Sequence, residues 1–156
     1  MIRYLLSAIL LISTSAFGQN LLEERIWKIS PRKKSIFLDS GVFHLNSSQF
    51  DSKISGVRNS VVPGRDYERV VIDFTTTNVP KLYGQISAKD KRISVDFFDT
   101  SIATAQPTLK NSKFVKSIDF ISVDGKTLTM DINLKGKASF DIFYLEAPGR
   151  LVIDIR

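Results

Sequence analysis

Cysteine is absent from the 156-residue chain, which removes disulfides, thiolate metal sites and thiol nucleophiles in one step. Histidine is almost absent. His44 is the only one, so a multi-histidine metal centre or a Ser-His-Asp triad would have to be built around a single imidazole. That residue sits in the apolar run Val42-Phe43-His44-Leu45, where an ordinary strand histidine is expected. Hydrophobic runs long enough to cross a bilayer are missing as well. The apolar stretch from Tyr4 to Ile12 falls well short of the roughly 20 residues that a spanning helix needs. It follows one cation, Arg3, and precedes Ser13, Thr14, Ser15 and then Ala16-Phe17-Gly18, the order of a secretory signal peptide. Cleavage is expected after Gly18, leaving an exported chain with no transmembrane segment. With no cysteine after the apolar run, a lipobox anchor is excluded.

What is present is a basic excess, 22 Lys and Arg against 16 Asp and Glu, for a net charge of +6. Such a balance favours anionic partners: nucleic acid, lipid headgroups or a carboxylate-bearing cell-wall polymer. Export sets nucleic acid aside. After residues 1–18, the remaining length suits one domain. Residues 19–53 open with a basic cluster (Arg25, Lys28, Arg32, Lys33, Lys34) around Trp27 and Pro31. No sustained periodicity runs through this segment, and it reads as a tail or linker with a short edge strand at residues 26–29. Residues 36–45 read as a hairpin turning at Asp39-Ser40-Gly41.

From Ile54 onward the chain is rich in Val, Ile, Phe and Thr with alternating polarity, the pattern of strands. Turn signals at Pro63-Gly64, Lys89-Asp90, Asp124-Gly125, Lys135-Gly136 and Pro148-Gly149 divide it, predicting an all-β sandwich or barrel. One six-residue pattern occurs four times: Arg69-Val-Val-Ile-Asp-Phe74, Arg92-Ile-Ser-Val-Asp-Phe97, Thr127-Leu-Thr-Met-Asp-Ile132 and Arg150-Leu-Val-Ile-Asp-Ile155. The first two map onto the last two by a shift of 58 residues, and Val57-Arg58 falls on Val115-Lys116 under the same shift. Two similar halves follow, at about 54–98 and 112–156.

Side chains alternate along a strand, so one face of the four copies predicts a core of twelve residues. They are Val70, Ile72, Phe74, Ile93, Val95, Phe97, Leu128, Met130, Ile132, Leu151, Ile153 and Ile155. The Arg and Asp of each copy lie on the other face, about 13 Å apart at roughly 3.3 Å per residue, too far to pair within a strand. They are expected to pair between strands, setting register and solubility.

The runs Glu68-Arg-Val-Val-Ile-Asp-Phe74, Lys91-Arg-Ile-Ser-Val-Asp-Phe97 and Ala147-Pro-Gly-Arg-Leu-Val-Ile-Asp-Ile155 resemble the AMIN domain. The likeness covers residues 54–156. AMIN domains occur in periplasmic N-acetylmuramoyl-L-alanine amidases and type IV pilus secretins. The resemblance implies a sandwich of two packed β-sheets with internal pseudo-two-fold symmetry, a periplasmic location, peptidoglycan as the partner and a localising role. Thr127 departs from the pattern, standing where the other three copies have Arg, so the second half presents less positive charge. A zinc amidase site needs three protein ligands and an open water position. One histidine does not supply it, so the binding role carries over and hydrolysis does not, and no cofactor or metal is expected.

A peptidoglycan reader needs donors for carboxylates and carbonyls and a flat apolar surface for sugar rings. The run Pro80-Lys-Leu-Tyr-Gly-Gln-Ile86 puts Lys81, Tyr83 and Gln85 on one strand face. With Arg69, Arg92 and Arg150 on neighbouring strands, these six form the candidate ligand-binding surface. Tyr144 is assigned to the core, and Trp27 to anchoring the N-terminal segment. The alternative function is a protein-interaction module of an envelope assembly (amidase, pilus or secretion machinery), docking through an open sheet edge. Catalysis by carboxylate pairs drawn from Asp73, Asp96, Asp131 and Asp154 is disfavoured, because a residue recurring in every copy does not mark a unique site.

Overall fold

The computed structural model describes residues 26–31, 35–48, 50–61, 63–103 and 107–156. The expected signal peptide lies outside them, as do Arg25 and the Arg32, Lys33 and Lys34 cluster. All regular elements among the described residues are strands: β1 (Ile26–Lys28), β2 (Gly41–Leu45), β3 (Ser52–Val61), β4 (Glu68–Phe74), β5 (Leu82–Ser87), β6 (Arg92–Phe98), β7 (Thr100–Ile102), β8 (Val115–Ser122), β9 (Thr127–Leu134), β10 (Phe140–Leu145) and β11 (Arg150–Ile155). They form a six-stranded sheet, order β1-β2-β5-β6-β9-β8, and a five-stranded sheet, order β10-β11-β4-β3-β7. Each is antiparallel apart from one short parallel pair at an edge, β1 with β2 and β7 with β3.

Alternation explains the packing. β4 reads buried at Glu68, Val70, Ile72 and Phe74 with partly exposed residues between, and β9 repeats the rhythm. All twelve expected core residues are buried, none more than 3% exposed. They belong to one apolar cluster shared by both sheets, with Phe74 of one sheet edge-on to Phe97 of the other at 5.5 Å.

The halves are interleaved between the sheets. Hairpin β3-β4 lies in the five-stranded sheet and β5-β6 in the six-stranded one, whereas β8-β9 lies in the six-stranded sheet and β10-β11 in the five-stranded one. Exchanging the halves turns the order β5-β6-β9-β8 into β10-β11-β4-β3. The pseudo-two-fold therefore exchanges the two sheets, and neither half can bury its apolar faces without the other. The offset of 58 holds for β5 and β10: Leu82 faces Phe97 as Phe140 faces Ile155. In the leading strands it fails. Val57 faces Ile72, while Met130, which stands for Ile72 in the second half, is faced by Phe120 rather than Val115. β3 and β8 each carry a bulge, between Ile54 and Gly56 and between Val115 and Ser117, opposite different points of their partner strands. An inserted residue shifts the register downstream of it, so the match of Val57-Arg58 to Val115-Lys116 is not structural.

A buried carboxylate ties the halves together. Glu68, fully enclosed at the start of β4, accepts hydrogen bonds from Asn59 Nδ2 at 2.8 Å, Ser112 Oγ at 3.0 Å and the backbone N–H groups of Lys113 and Phe114 at 2.9 and 2.8 Å. It thereby anchors the approach to β8 against the opposite sheet. Multiple donors are what a desolvated carboxylate requires.

Residues 36–45 do not form the expected hairpin. β2 pairs antiparallel with β5 and parallel with β1, while Leu38 bridges Phe140 at the outer edge of β10. The apolar residues on either side of Asp39-Ser40-Gly41 each find a longer strand than the other could offer. The described parts of the N-terminal segment consequently belong to the sandwich: β1 is an edge strand as expected, Ile29, Phe43 and Leu45 join the core, and Trp27 stacks at a tilt on Phe43 with ring centroids 5.6 Å apart.

Candidate functional site

The six candidate ligand-binding residues divide between opposite outer faces. Lys81 precedes β5, Tyr83 and Gln85 lie on it, and Arg92 starts β6, all exposed on the six-stranded sheet, with Leu82, Gly84 and Ile86 buried beneath. Arg69 on β4 and Arg150 on β11 belong to the five-stranded sheet. The expectation that all three arginines neighbour Tyr83 is thus corrected. Hairpins adjacent in sequence enter different sheets, and the core lies between Arg92 and the other two.

The Tyr83 face is polar and rich in carboxylates. Register places Tyr83 between His44 of β2 and Asp96 of β6. Asp96 accepts a hydrogen bond from Thr129 Oγ1 and Asp131 from Ser94 Oγ, both at 2.6 Å. Arg92 reaches Asp131 only at 3.5 Å. Lys81 lies over the Phe98 ring, 5.2 Å from its centroid, a cation–π contact. Tyr83, 46% exposed, presents its ring to solvent.

The opposite face carries a groove of about 430 Å³ lined by Arg58, Asn59, Ser60, Arg69, Val71, Leu145, Arg150 and Val152. Three adjacent strands build it: β3 supplies Arg58, β4 Arg69 and β11 Arg150. Arg69 stands opposite Asp154 and holds it with a two-pronged bond, Nε to Oδ1 at 2.6 Å and Nη2 to Oδ2 at 2.8 Å. Its guanidinium also lies near the Tyr67 and Phe143 rings, 5.5 and 5.7 Å from their centroids. The hydrogen bonds to Asp154 hold the Arg69 pKa above its ordinary value despite partial burial, with added attraction from Asp154, Tyr67 and Asp141. Arg69 is thereby committed to the fold.

Arg58 makes a second fork, to Asp73 at 2.9 and 3.1 Å, which likewise raises its pKa. Register sets Arg150 opposite that same Asp73, whose two oxygens Arg58 occupies. Among the described residues Arg150 has no ion-pair partner, and its Nε is buried without an acceptor. Arg58 escaped the sequence reading because nothing local links it to Asp73, fifteen positions on. Only the β3-β4 register brings them together.

The described residues contain no group of three or more His, Cys, Asp or Glu able to hold a metal ion, and no helix long and apolar enough to cross a membrane. The arrangement offers hydrogen-bond donors and cations to an anionic or carbonyl-bearing ligand. The sequence model of the AMIN domain matches residues 60–155. No curated protein matches the chain.

Proposed function

The chain belongs to the AMIN domain family, and from that membership we propose that it is a periplasmic module that binds peptidoglycan and holds itself, or what it is joined to, at the cell wall. The family's domain is a non-catalytic binding module known from periplasmic proteins for peptidoglycan binding and localisation. The match over residues 60–155 carries this reading. The two outer faces support it in different ways. Tyr83, with Lys81 and Gln85 beside it and Arg92 on the next strand, offers a ring to a sugar face and donors to N-acetyl carbonyls. Arg150, in the groove behind, offers an uncommitted guanidinium to a peptide carboxylate.

Co-sedimentation with purified sacculi tests the reading. The protein is expected to pellet with sacculi, and Tyr83→Ala and Arg150→Glu to reduce the pelleted fraction while keeping the native melting temperature. Wild-type protein left wholly in the supernatant would reject cell-wall binding. Full binding by both variants would reject these residues as its contacts.

One observation favours docking within an envelope assembly as a second reading. β8 ends the six-stranded sheet, with no strand on its outer side among the described residues, and Ile121 and Val123 at its end are 53% and 64% exposed. An open edge with apolar side chains can accept an added strand. Crosslinking in intact envelopes through a photoreactive residue at position 121 separates the readings. One stoichiometric protein adduct without sacculus binding would favour docking.

A further inference from the structure

The groove on the five-stranded sheet holds three guanidinium groups and carboxylate partners for two. Asp154 is taken by Arg69 and Asp73 by Arg58, each through both oxygens. Arg150 stands directly across from Asp73 in the ladder, so its natural partner is present and already occupied. Its Nε–H is shielded from water with no acceptor. A buried donor without an acceptor is costly, and more so on a charged group. The cost disappears when an acceptor enters and the guanidinium, on its long stem, turns to meet it.

We propose that Arg150 anchors a carboxylate site which takes the free carboxyl end of a peptide bearing a small apolar side chain. The chemistry of the lining selects that class. A guanidinium fork matches the two oxygens of a carboxylate. Val71, Val152 and Leu145 form an apolar wall suited to a methyl group, while Ser60 offers a hydroxyl to the adjoining amide. The Asn59 side chain is turned to the other side of β3, bonding Glu68 and both the carbonyl and the N–H of Lys110. Arg58 and Arg69 are each neutralised by the carboxylate they hold, so the unpaired positive charge of the groove lies on Arg150. The inference rests on the cell-wall reading only for the natural source of such a peptide end.

The test is a titration of the full chain, followed through the arginine Nε–Hε signals in ¹⁵N NMR. The probes are N-acetyl-D-alanyl-D-alanine, its C-terminal amide and inorganic phosphate. The acid is expected to shift the Arg150 signal saturably, on the order of tenfold more tightly than the amide, with phosphate binding no tighter than the acid. Arg150→Gln is expected to lose acid binding by a similar factor at unchanged melting temperature. Lys116→Gln, on β8 of the six-stranded sheet, should leave it intact. No saturable shift, equal binding of acid and amide, tighter binding of phosphate, or acid binding undiminished in folded Arg150→Gln would each overturn the site. Because the Nε signal is read in the wild-type protein, the result stands even if Arg150→Gln folds poorly. Sacculus binding that persists with acid and amide indistinguishable rejects this site and leaves the cell-wall reading. Acid binding without sacculus binding supports the site and rejects the cell-wall reading.

Discussion

Arg69 and Asp154 face each other across β4 and β11 and are joined by two hydrogen bonds, with the Asp154 side chain fully buried. Standing 85 positions apart in sequence, the two residues form a clasp between the halves. Removing the cation takes both of these charge-assisted hydrogen bonds from a desolvated carboxylate. Arg69→Ala is expected to destabilise the fold by about 1.5 to 3 kcal/mol, read from the urea midpoint. Arg69→Lys keeps the charge but not the fork and should fall between. A loss in Arg69→Ala below about 1 kcal/mol, the range of an exposed pair, would show that Asp154 does not depend on Arg69.

Arg92 and Asp131 look equivalent in sequence and are not. β6 and β9 are paired so that Arg92 stands opposite Asn133 and Asp131 opposite Ser94, leaving a diagonal contact of 3.5 Å from a side chain 46% exposed. Arg92→Ala should change stability by no more than about 0.5 kcal/mol. Thermal unfolding of the two alanine variants side by side checks the contrast.

Gly84 lies under the Phe43 ring, its ladder partner. A Cβ placed there would enter the ring, 2.6 Å from Cε2, and Phe43 is itself wholly buried. Gly84→Ala is therefore expected to cost about 1 to 3 kcal/mol by overpacking. Combining it with Phe43→Leu should cost less than the sum of the single changes, a coupling that a double-mutant cycle measures.

The turn between β8 and β9 is capped by Asp124, which accepts the backbone N–H groups of Lys126 and Thr127 at 2.9 and 2.6 Å. These bonds hold its pKa below the ordinary carboxylate value. A depressed folded-state pKa contributes stability that is present above the unfolded value and is lost as pH falls through the folded one. Asp66, lowered by its hydrogen bond to Lys113, acts in the same sense. In an NMR titration the Lys126 and Thr127 amide shifts should move with a midpoint more acidic than that of a free aspartate. A midpoint at or above the free value would mean the cap is not formed.

Much of this architecture was legible in the chain itself. The period-two pattern in the four repeats identified twelve core side chains, and the same rule set Tyr83 outward and Gly84 inward on β5. It failed where a residue's neighbour comes from a distant strand. Residues 36–38 and 41–45 carry a good turn between them, yet Leu38 meets β10 and β2 meets β5, because longer ladders outcompete a short local one. The Arg58–Asp73 fork depends on a register that the bulge in β3 resets.

Alternation is a property of one strand. It assigns each residue to a side and says nothing about which strand lies next to it, so the sequence determined the buried set, the two halves and the absence of a metal-building complement of Cys and His. The tertiary structure alone decided that consecutive hairpins enter opposite sheets, which puts Arg92 behind the core from Arg69 and Arg150. It also decided that Asp73 is claimed by Arg58, leaving Arg150 as the uncommitted cation of the groove. Which charges end up paired follows from inter-strand register, and register is set by long-range packing of the apolar faces.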